Sequence, residues 1–281
     1  MVREKRTSML CPNCGKLIST SEPRCPYCGT TRPGSWWKSN LWTRGFRDPD
    51  QLIRTIIYVN VGMYVISLLL NPRGTGLTLN PFGFLSPDRQ SLFVLGATGT
   101  IPIKALHRWW TLVSANYLHG GILHILFNMY ALKQLGGFVL REYGPYRAFV
   151  IYTVGGIFGF WVSYVAGVRV TIGASAAVCS LIGASLYYGK SRGGAYGQAI
   201  YRQIGAWTVG LFLFGLLVSG INNWAHGGGI LAGLGLGFLL KYQERKRESF
   251  FHKALAGACA VVTIVVLVWA VGSSVYDRFL S

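Results

Sequence analysis

Two residues of this sequence could form a nucleophile and its base. Ser175 lies in the segment GASAAVCSLIG and His226 in the segment AHGGGILAGLGLG, both otherwise apolar or rich in glycine. A serine hydroxyl becomes a nucleophile when a histidine takes its proton, so the chemistry that this pair could carry is acyl transfer. A lone serine or histidine in an apolar helix is as easily a packing residue. The interpretation therefore depends on where the helices place the two side chains.

A second polar pair, His124 and Asn128, is separated by four positions in the segment HILFN. Four residues are about one helical turn, so an imidazole and a carboxamide share one helix face. Both could donate hydrogen bonds to an oxyanion, together with the backbone N–H of Ser175. Hydrogen bonds between packed helices would explain the pair equally well.

Four cysteines near the N-terminus have the spacing of a metal site. They form the pattern C-x2-C-x10-C-x2-C and are Cys11, Cys14, Cys25 and Cys28. Two such knuckles supply four thiolates for a tetrahedral Zn²⁺, and a segment this short needs the metal to fold. We expect a structural zinc ion in a zinc-ribbon-like module over residues 1–33, followed by an interfacial linker over 34–50. A pair of redox-active dithiols is the alternative.

The composition indicates that the elements holding these residues lie in a bilayer. The chain has 281 residues, of which 51% are hydrophobic and only 13% are charged. A soluble domain carries about 25% charged residues. Lys and Arg number 27 against 9 Asp and Glu, which suits either a basic cytoplasmic face or a nucleic-acid partner.

Seven stretches are long and apolar enough to cross a bilayer as helices. They run approximately over Leu52–Leu70, Asn116–Gly137, Tyr146–Ala166, Thr171–Gly189, Ile200–Ser219, Asn222–Leu240 and Lys253–Val271. The segment 71–108 contains four prolines and is expected to be a folded loop.

The positions of the basic residues predict the orientation of these spans. With a cytoplasmic N-terminus, 21 of the 27 Lys and Arg residues fall on the inner side. The positive-inside rule then predicts a cytoplasmic N-terminus and an outer C-terminus, so the excess charge needs no nucleic-acid partner. No cleavable signal peptide is visible, and we expect a bacterial plasma membrane.

This orientation brings the four polar side chains toward one level. The second, fourth and sixth spans all run from outside to inside, so Ser175 and His226 lie about three to five residues below the outer surface. At about 1.5 Å per residue that is roughly 5 to 8 Å. His124 and Asn128 are expected one to two turns deeper.

The arrangement resembles the rhomboid family of intramembrane serine proteases over about residues 50–245. The residues that carry the resemblance are Arg108, Trp109, His119, His124, Asn128, Gly173, Ser175, His226, Gly229 and Gly233. The resemblance implies an all-α polytopic membrane protein with a six-helix core over 51–245. A basic loop and a seventh transmembrane helix follow over 246–281.

The resemblance also implies an activity. Ser175 would be the nucleophile, His226 the base, and His124 and Asn128 the oxyanion hole, with no cofactor for catalysis. Substrates would be membrane proteins cleaved in or beside a transmembrane segment. Which proteins these are, and what partner the ribbon has, the sequence leaves open.

Two positions depart from the family pattern. Ala176 stands where the family usually has glycine, and Cys179 stands where it commonly has an aromatic ring that stacks on the catalytic histidine. The alternative function is therefore a non-proteolytic rhomboid-like protein that binds transmembrane clients. A transporter is disfavoured, because none of the nine acidic residues falls within a predicted span.

Overall fold

The computed structural model describes residues 7–11, 16–27, 29, 31–35, 49–77, 83–218, 220–246 and 248–279. The chain forms two compact units, residues 1–54 and 55–281. Most of the predicted linker, residues 36–48, lies outside the described residues.

The N-terminal unit contains a small β-hairpin. Strands β1 (Ser8–Leu10) and β2 (Leu17–Ser19) pair antiparallel, with Met9 opposite Ile18. Cys11 and Cys25 are buried with Ile18 in one small cluster. Two of the four predicted zinc ligands thus lie in the same cluster, whereas Cys14 and Cys28 lie outside the described residues. The zinc-ribbon-like module stays a prediction, because the described residues contain no group of three or more metal-ligating side chains.

Seven long helices account for most of the described residues, one at each predicted span. With two short helices of the first loop they are α1 (Pro49–Leu70), α2 (Arg89–Val94), α3 (Thr111–Ser114), α4 (Ile122–Tyr143), α5 (Pro145–Val165), α6 (Ser175–Arg192), α7 (Gly194–Leu217), α8 (Asn223–Leu240) and α9 (Phe250–Phe279). The predicted fold class, an all-α polytopic membrane protein, is confirmed.

Four of the long helices are apolar and long enough to cross a bilayer by composition alone. These segments are Gln51–Leu70, Pro145–Val165, Gly194–Leu217 and Phe250–Arg278. The spans predicted at α4, α6 and α8 are helical as well, and they carry glycines and the candidate site residues.

The beginning of the second span was predicted too early. The residues that follow α3 form a tight turn over Ala115–Tyr117, and the backbone is then extended at Leu118. Helix α4 begins only at Ile122, so His124 lies in its first turn rather than one to two turns deeper.

Glycines let the central helices α6 and α8 touch backbone to backbone. Gly229 faces the carbonyl oxygen of Ala176, and Gly233 faces that of Ser180, both too closely for a side chain. Equal steps of four residues on both helices mean that α6 and α8 run parallel and in register. Helix α5 packs against both of them.

The loop between α8 and α9 is fastened to the turn between α4 and α5. The buried Arg147 donates from Nη2 to the carbonyl oxygen of Lys246 (2.6 Å), and its backbone N–H donates to Oε1 of Glu248 (3.0 Å). Gly144 has a φ of 89°, and a Cβ there would lie 2.6 Å from the Glu248 carboxyl carbon. The carboxylate of Glu248 therefore fills the space that this glycine leaves.

Candidate active site

Ser175 is the first residue of helix α6 and is half-buried. The turn before it depends on Gly173, whose φ of 130° is unfavourable for any residue with a side chain. The Gly173 N–H donates to the carbonyl oxygen of Ala115 at 2.9 Å, which fixes the turn to the first loop. The serine hydroxyl is thus held at a helix N-terminus by a turn that needs glycine.

Gly173 also brings the predicted oxyanion residue His124 to the serine. A Cβ at Gly173 would lie 2.8 Å from Nε2 of His124 and 3.5 Å from Oγ of Ser175. The imidazole and the hydroxyl therefore border the same small space beside the glycine backbone.

The hydrogen bonding of His124 decides which ring nitrogen can donate. The backbone N–H of Gly120 donates to Nδ1 of His124 at 3.2 Å, so Nδ1 carries no hydrogen. In the neutral ring the hydrogen is then on Nε2, the atom that faces Gly173 and Ser175. The His119 ring packs edge-on against His124, with centroids 5.1 Å apart. His124 thus presents a hydrogen-bond donor toward the serine.

Asn128 is buried one helical turn below His124, on the same face of α4 as predicted. Its Nδ2 donates to the backbone carbonyl oxygen of His124 at 2.8 Å. One of the two amide hydrogens is therefore used within the helix, and the second is left for another acceptor.

His226 lies in the first turn of helix α8 and is buried. Its backbone N–H donates to the carbonyl oxygen of Asn222 (3.1 Å). Among the described residues no side chain or backbone group bonds Nδ1 of His226. In the described part of the chain no hydrogen bond joins Ser175 to His226, so the catalytic pair stays a prediction.

The two unusual residues after the serine are both accommodated by glycines. Ala176 is completely buried, and its Cβ would lie 3.1 Å from a Cβ added at Gly159 of α5. The buried Cys179 packs against Gly229, with its Cβ 3.1 Å from a Cβ added there. The methyl group of Ala176, which stands where the family usually has glycine, thus lies opposite Gly159, a residue with no side chain.

Sequence reasoning missed Asn222, which caps helix α8. Its Oδ1 accepts from the Ala225 N–H at 3.1 Å, and its Nδ2 donates to the hydroxyl oxygens of Ser163 (2.6 Å) and Thr171 (3.0 Å). Asparagine just before an apolar helix is a recognised N-cap signal that could have identified the first bond. The other two bonds join segments far apart in sequence, and no sequence signal could have found them.

Comparisons with known proteins agree with this arrangement. Residues 106–243 match the family model of the rhomboid domain. RHOMBOID-like protein 4 of Arabidopsis thaliana is 29% identical over 67% of this chain and 52% of its own length. Rhomboid protease GluP of Bacillus subtilis is 32% identical over 64% of this chain and 35% of its own length.

Another relative, of similar sequence identity, is named as inactive. Inactive RHOMBOID-like protein 8 of Arabidopsis thaliana is 31% identical over 61% of this chain and 49% of its own length. The chain therefore spans about half or less of the length of these three relatives. Together the comparisons support the rhomboid family, and the residues that match its domain model, 106–243, include His124, Ser175 and His226.

Proposed function

We propose that this chain is an intramembrane serine endopeptidase that cleaves transmembrane segments of membrane proteins. The observation that carries the proposal is the space beside Gly173, which Oγ of Ser175 and Nε2 of His124 both border. Acyl transfer requires the nucleophile beside the scissile carbonyl carbon and a hydrogen-bond donor beside its oxygen.

The chemistry follows from the atoms at this space. Oγ of Ser175 attacks the scissile carbonyl carbon while His226 takes the hydroxyl proton. The oxyanion accepts hydrogen bonds from Nε2–H of His124 and from the Ser175 N–H, one of the first N–H groups of α6 that have no partner within the helix. The second amide hydrogen of Asn128 is the third donor. His226 returns its proton to the leaving amine. Water then attacks the acyl-enzyme while His226 takes its proton, and Ser175 leaves as the free hydroxyl.

The membrane setting is proposed from the charges. The family and the apolar helices make the chain an integral membrane protein. We propose a cytoplasmic N-terminus, an outer C-terminus and a site that opens outward, because 21 of the 27 basic residues then lie inside. A bacterial plasma membrane gains no support from the comparisons, since the relatives include plant proteins as well as a bacterial one.

A non-proteolytic protein that binds transmembrane clients is the second candidate. The name of the inactive Arabidopsis relative and the missing Ser175–His226 hydrogen bond in the described residues favour it. Against it stands His124, whose donor nitrogen faces the serine although client binding requires no such donor.

The deciding experiment reconstitutes the purified chain in liposomes with a transmembrane reporter substrate. We expect cleavage by the wild type and none by Ser175→Ala or His226→Ala. Ser185→Ala is the matched control, since Ser185 lies on the same helix and its hydroxyl donates, among the described residues, to the carbonyl oxygen of Leu181. Equal cleavage by Ser175→Ala would refute the proposal, as would a wild type that neither cleaves nor reacts with a fluorophosphonate.

We also propose that the four N-terminal cysteines bind one structural zinc ion. The burial of Cys11 and Cys25 in one cluster supports this, since these two come from different knuckles of the pattern. Metal analysis of the purified full-length protein should find about one zinc ion per chain. The variant Cys25→Ser should lose it, and a metal-free wild type purified without chelator would overturn the assignment.

A further inference from the structure

The side chain of Asn222 joins three separate parts of the rhomboid domain. Its carbonyl oxygen caps helix α8 at Ala225 N–H, and its amide nitrogen donates to hydroxyls of the α5 end and of the loop before α6. The α5 hydroxyl belongs to Ser163, which is completely buried. The loop hydroxyl belongs to Thr171, four residues before Ser175.

Thr171 continues the connection to the first loop. Its backbone exchanges two hydrogen bonds with Thr98, at 2.7 and 3.0 Å. The Thr98 hydroxyl accepts in turn from the hydroxyl of Thr111 in α3 at 3.0 Å. A continuous set of hydrogen bonds therefore runs from the helix of the proposed base, past the loop of the proposed nucleophile, to the first loop.

The hydrogen bonds of Asn222 lie at the ends of α6 and α8 that carry Ser175 and His226. The close backbone contacts of α6 and α8 begin at Ala176 and Gly229 and continue away from the site. Ser175 and His226 lie just outside this contact, at the N-terminal ends of the two helices. Ser175 directly follows the loop before α6, and His226 lies in the first turn of α8. Packing of glycines between the two helices does not fix the conformation of the loop before α6. Hydrogen bonds among buried side chains can fix it in one conformation.

A helix cap by itself requires only an oxygen that accepts from the first turn. The two bonds from Nδ2 of Asn222 are additional, and both reach other elements. We infer that Asn222 is a positioning residue that holds the Ser175 loop and the first turn of α8 at the distance that proton transfer needs. This inference rests on the proposed function and names a residue that acts through Ser175 and His226 without touching substrate.

The experiment compares three variants of the full chain in liposomes. Asn222→Ala removes all three bonds. Asn222→Asp keeps the cap and can accept hydrogens from both hydroxyls, so it is the conservative rescue. Asn60→Ala is the matched control, because Asn60 is also a buried carboxamide, but its amide nitrogen donates within its own helix, to the carbonyl oxygen of Ile56 (2.8 Å), and its side chain adjoins Tyr152 of α5.

The readouts are kcat, KM, the pH profile of kcat/KM and the temperature of unfolding. We expect Asn222→Ala to lower kcat about 10- to 100-fold with little change in KM, and to shift the pH at which kcat/KM is half-maximal. Asn222→Asp should restore most of the rate. Asn60→Ala should lower the temperature of unfolding without changing kcat or the pH profile.

The set of bonds also predicts non-additivity. Thr171→Val removes one hydroxyl, and added to Asn222→Ala it should cost far less than it does alone. Wild-type kcat and pH profile in folded Asn222→Ala would overturn the inference while leaving the proposed function intact. A wild type without cleavage or fluorophosphonate labelling would overturn both.

Discussion

Gly229 of α8 lies directly against the backbone carbonyl oxygen of Ala176 in α6, leaving no space for a side chain between them. Ala176 follows Ser175, and Gly229 comes three residues after His226. This one contact therefore sets the level of the proposed nucleophile relative to the proposed base.

Gly229→Ala should disrupt both stability and activity. The added methyl group meets backbone, which cannot rotate away, so the helices must separate. We expect a loss of about 1–3 kcal/mol or more of unfolding free energy and a large loss of cleavage. Gly235→Ala on the same helix is the control, because a Cβ there meets nothing within 4 Å. Thermal unfolding of both variants in detergent checks this, and equal stability would contradict the close contact.

His124→Ala should lower kcat and leave KM nearly unchanged. In the proposed mechanism its Nε2–H donates a stronger hydrogen bond to the oxyanion than to the carbonyl oxygen of the bound substrate. Loss of one oxyanion donor typically costs about 100- to 1,000-fold in kcat. Steady-state cleavage of the reporter measures it, and a change confined to KM would assign His124 to substrate binding instead.

Ala176→Gly should destabilise the protein without raising its activity. The methyl group of Ala176 fills space opposite Gly159, so its removal leaves a small void and adds a glycine to a helix. We expect a loss of about 1 kcal/mol. A severalfold increase in kcat in the glycine variant would show instead that the methyl group hinders the serine turn.

Glu248 should make stability depend on pH. Burial raises the pKa of its carboxyl above the ordinary value of 4.5, although its hydrogen bond from the Arg147 N–H and the Arg147 charge oppose the shift. The folded state then binds the proton more readily than the unfolded chain. The contribution of Glu248 to stability is therefore fully present below about pH 4.5, falls as the pH rises through the folded pKa, and is lost above it.

Glu248→Gln removes this titration and should give a flatter profile of unfolding temperature against pH across that window. Glu244→Gln is the control, since Glu244 is exposed and pairs with Arg192 at 3.1 Å. The interpretation fails if wild type and Glu248→Gln show the same pH dependence.

The helices could be predicted from the sequence because hydropathy is a local property. All seven predicted spans correspond to long helices, including α4, α6 and α8, which carry the candidate site residues. The beginning of α4 was predicted too early, because Asn116–Gly121 forms a tight turn and an extended segment. The glycines Gly120 and Gly121, which favour a helix boundary, are the local signal for the later start.

The candidate site was predictable as residue types and only partly as geometry. The spacing of His124 and Asn128 correctly placed them on one face of α4. The direction of the donor on His124 depends on the N–H of Gly120, and the fit of Ala176 depends on Gly159 of another helix. Neither could be derived from the segments that contain the site residues.

By itself, the sequence determined that the helices lie in a lipid bilayer, how many there are, and which residue types could carry acyl transfer. These follow from hydrophobic runs, from spacing within one helix and from charge, all of which act over a few residues. Only the tertiary structure decided that Gly173 adjoins both His124 and Ser175, that α6 and α8 meet in register, and that Asn222 connects three elements. Those relationships join residues about 50 apart in sequence, and close packing of side chains and backbone, which no local pattern encodes, is what sets them.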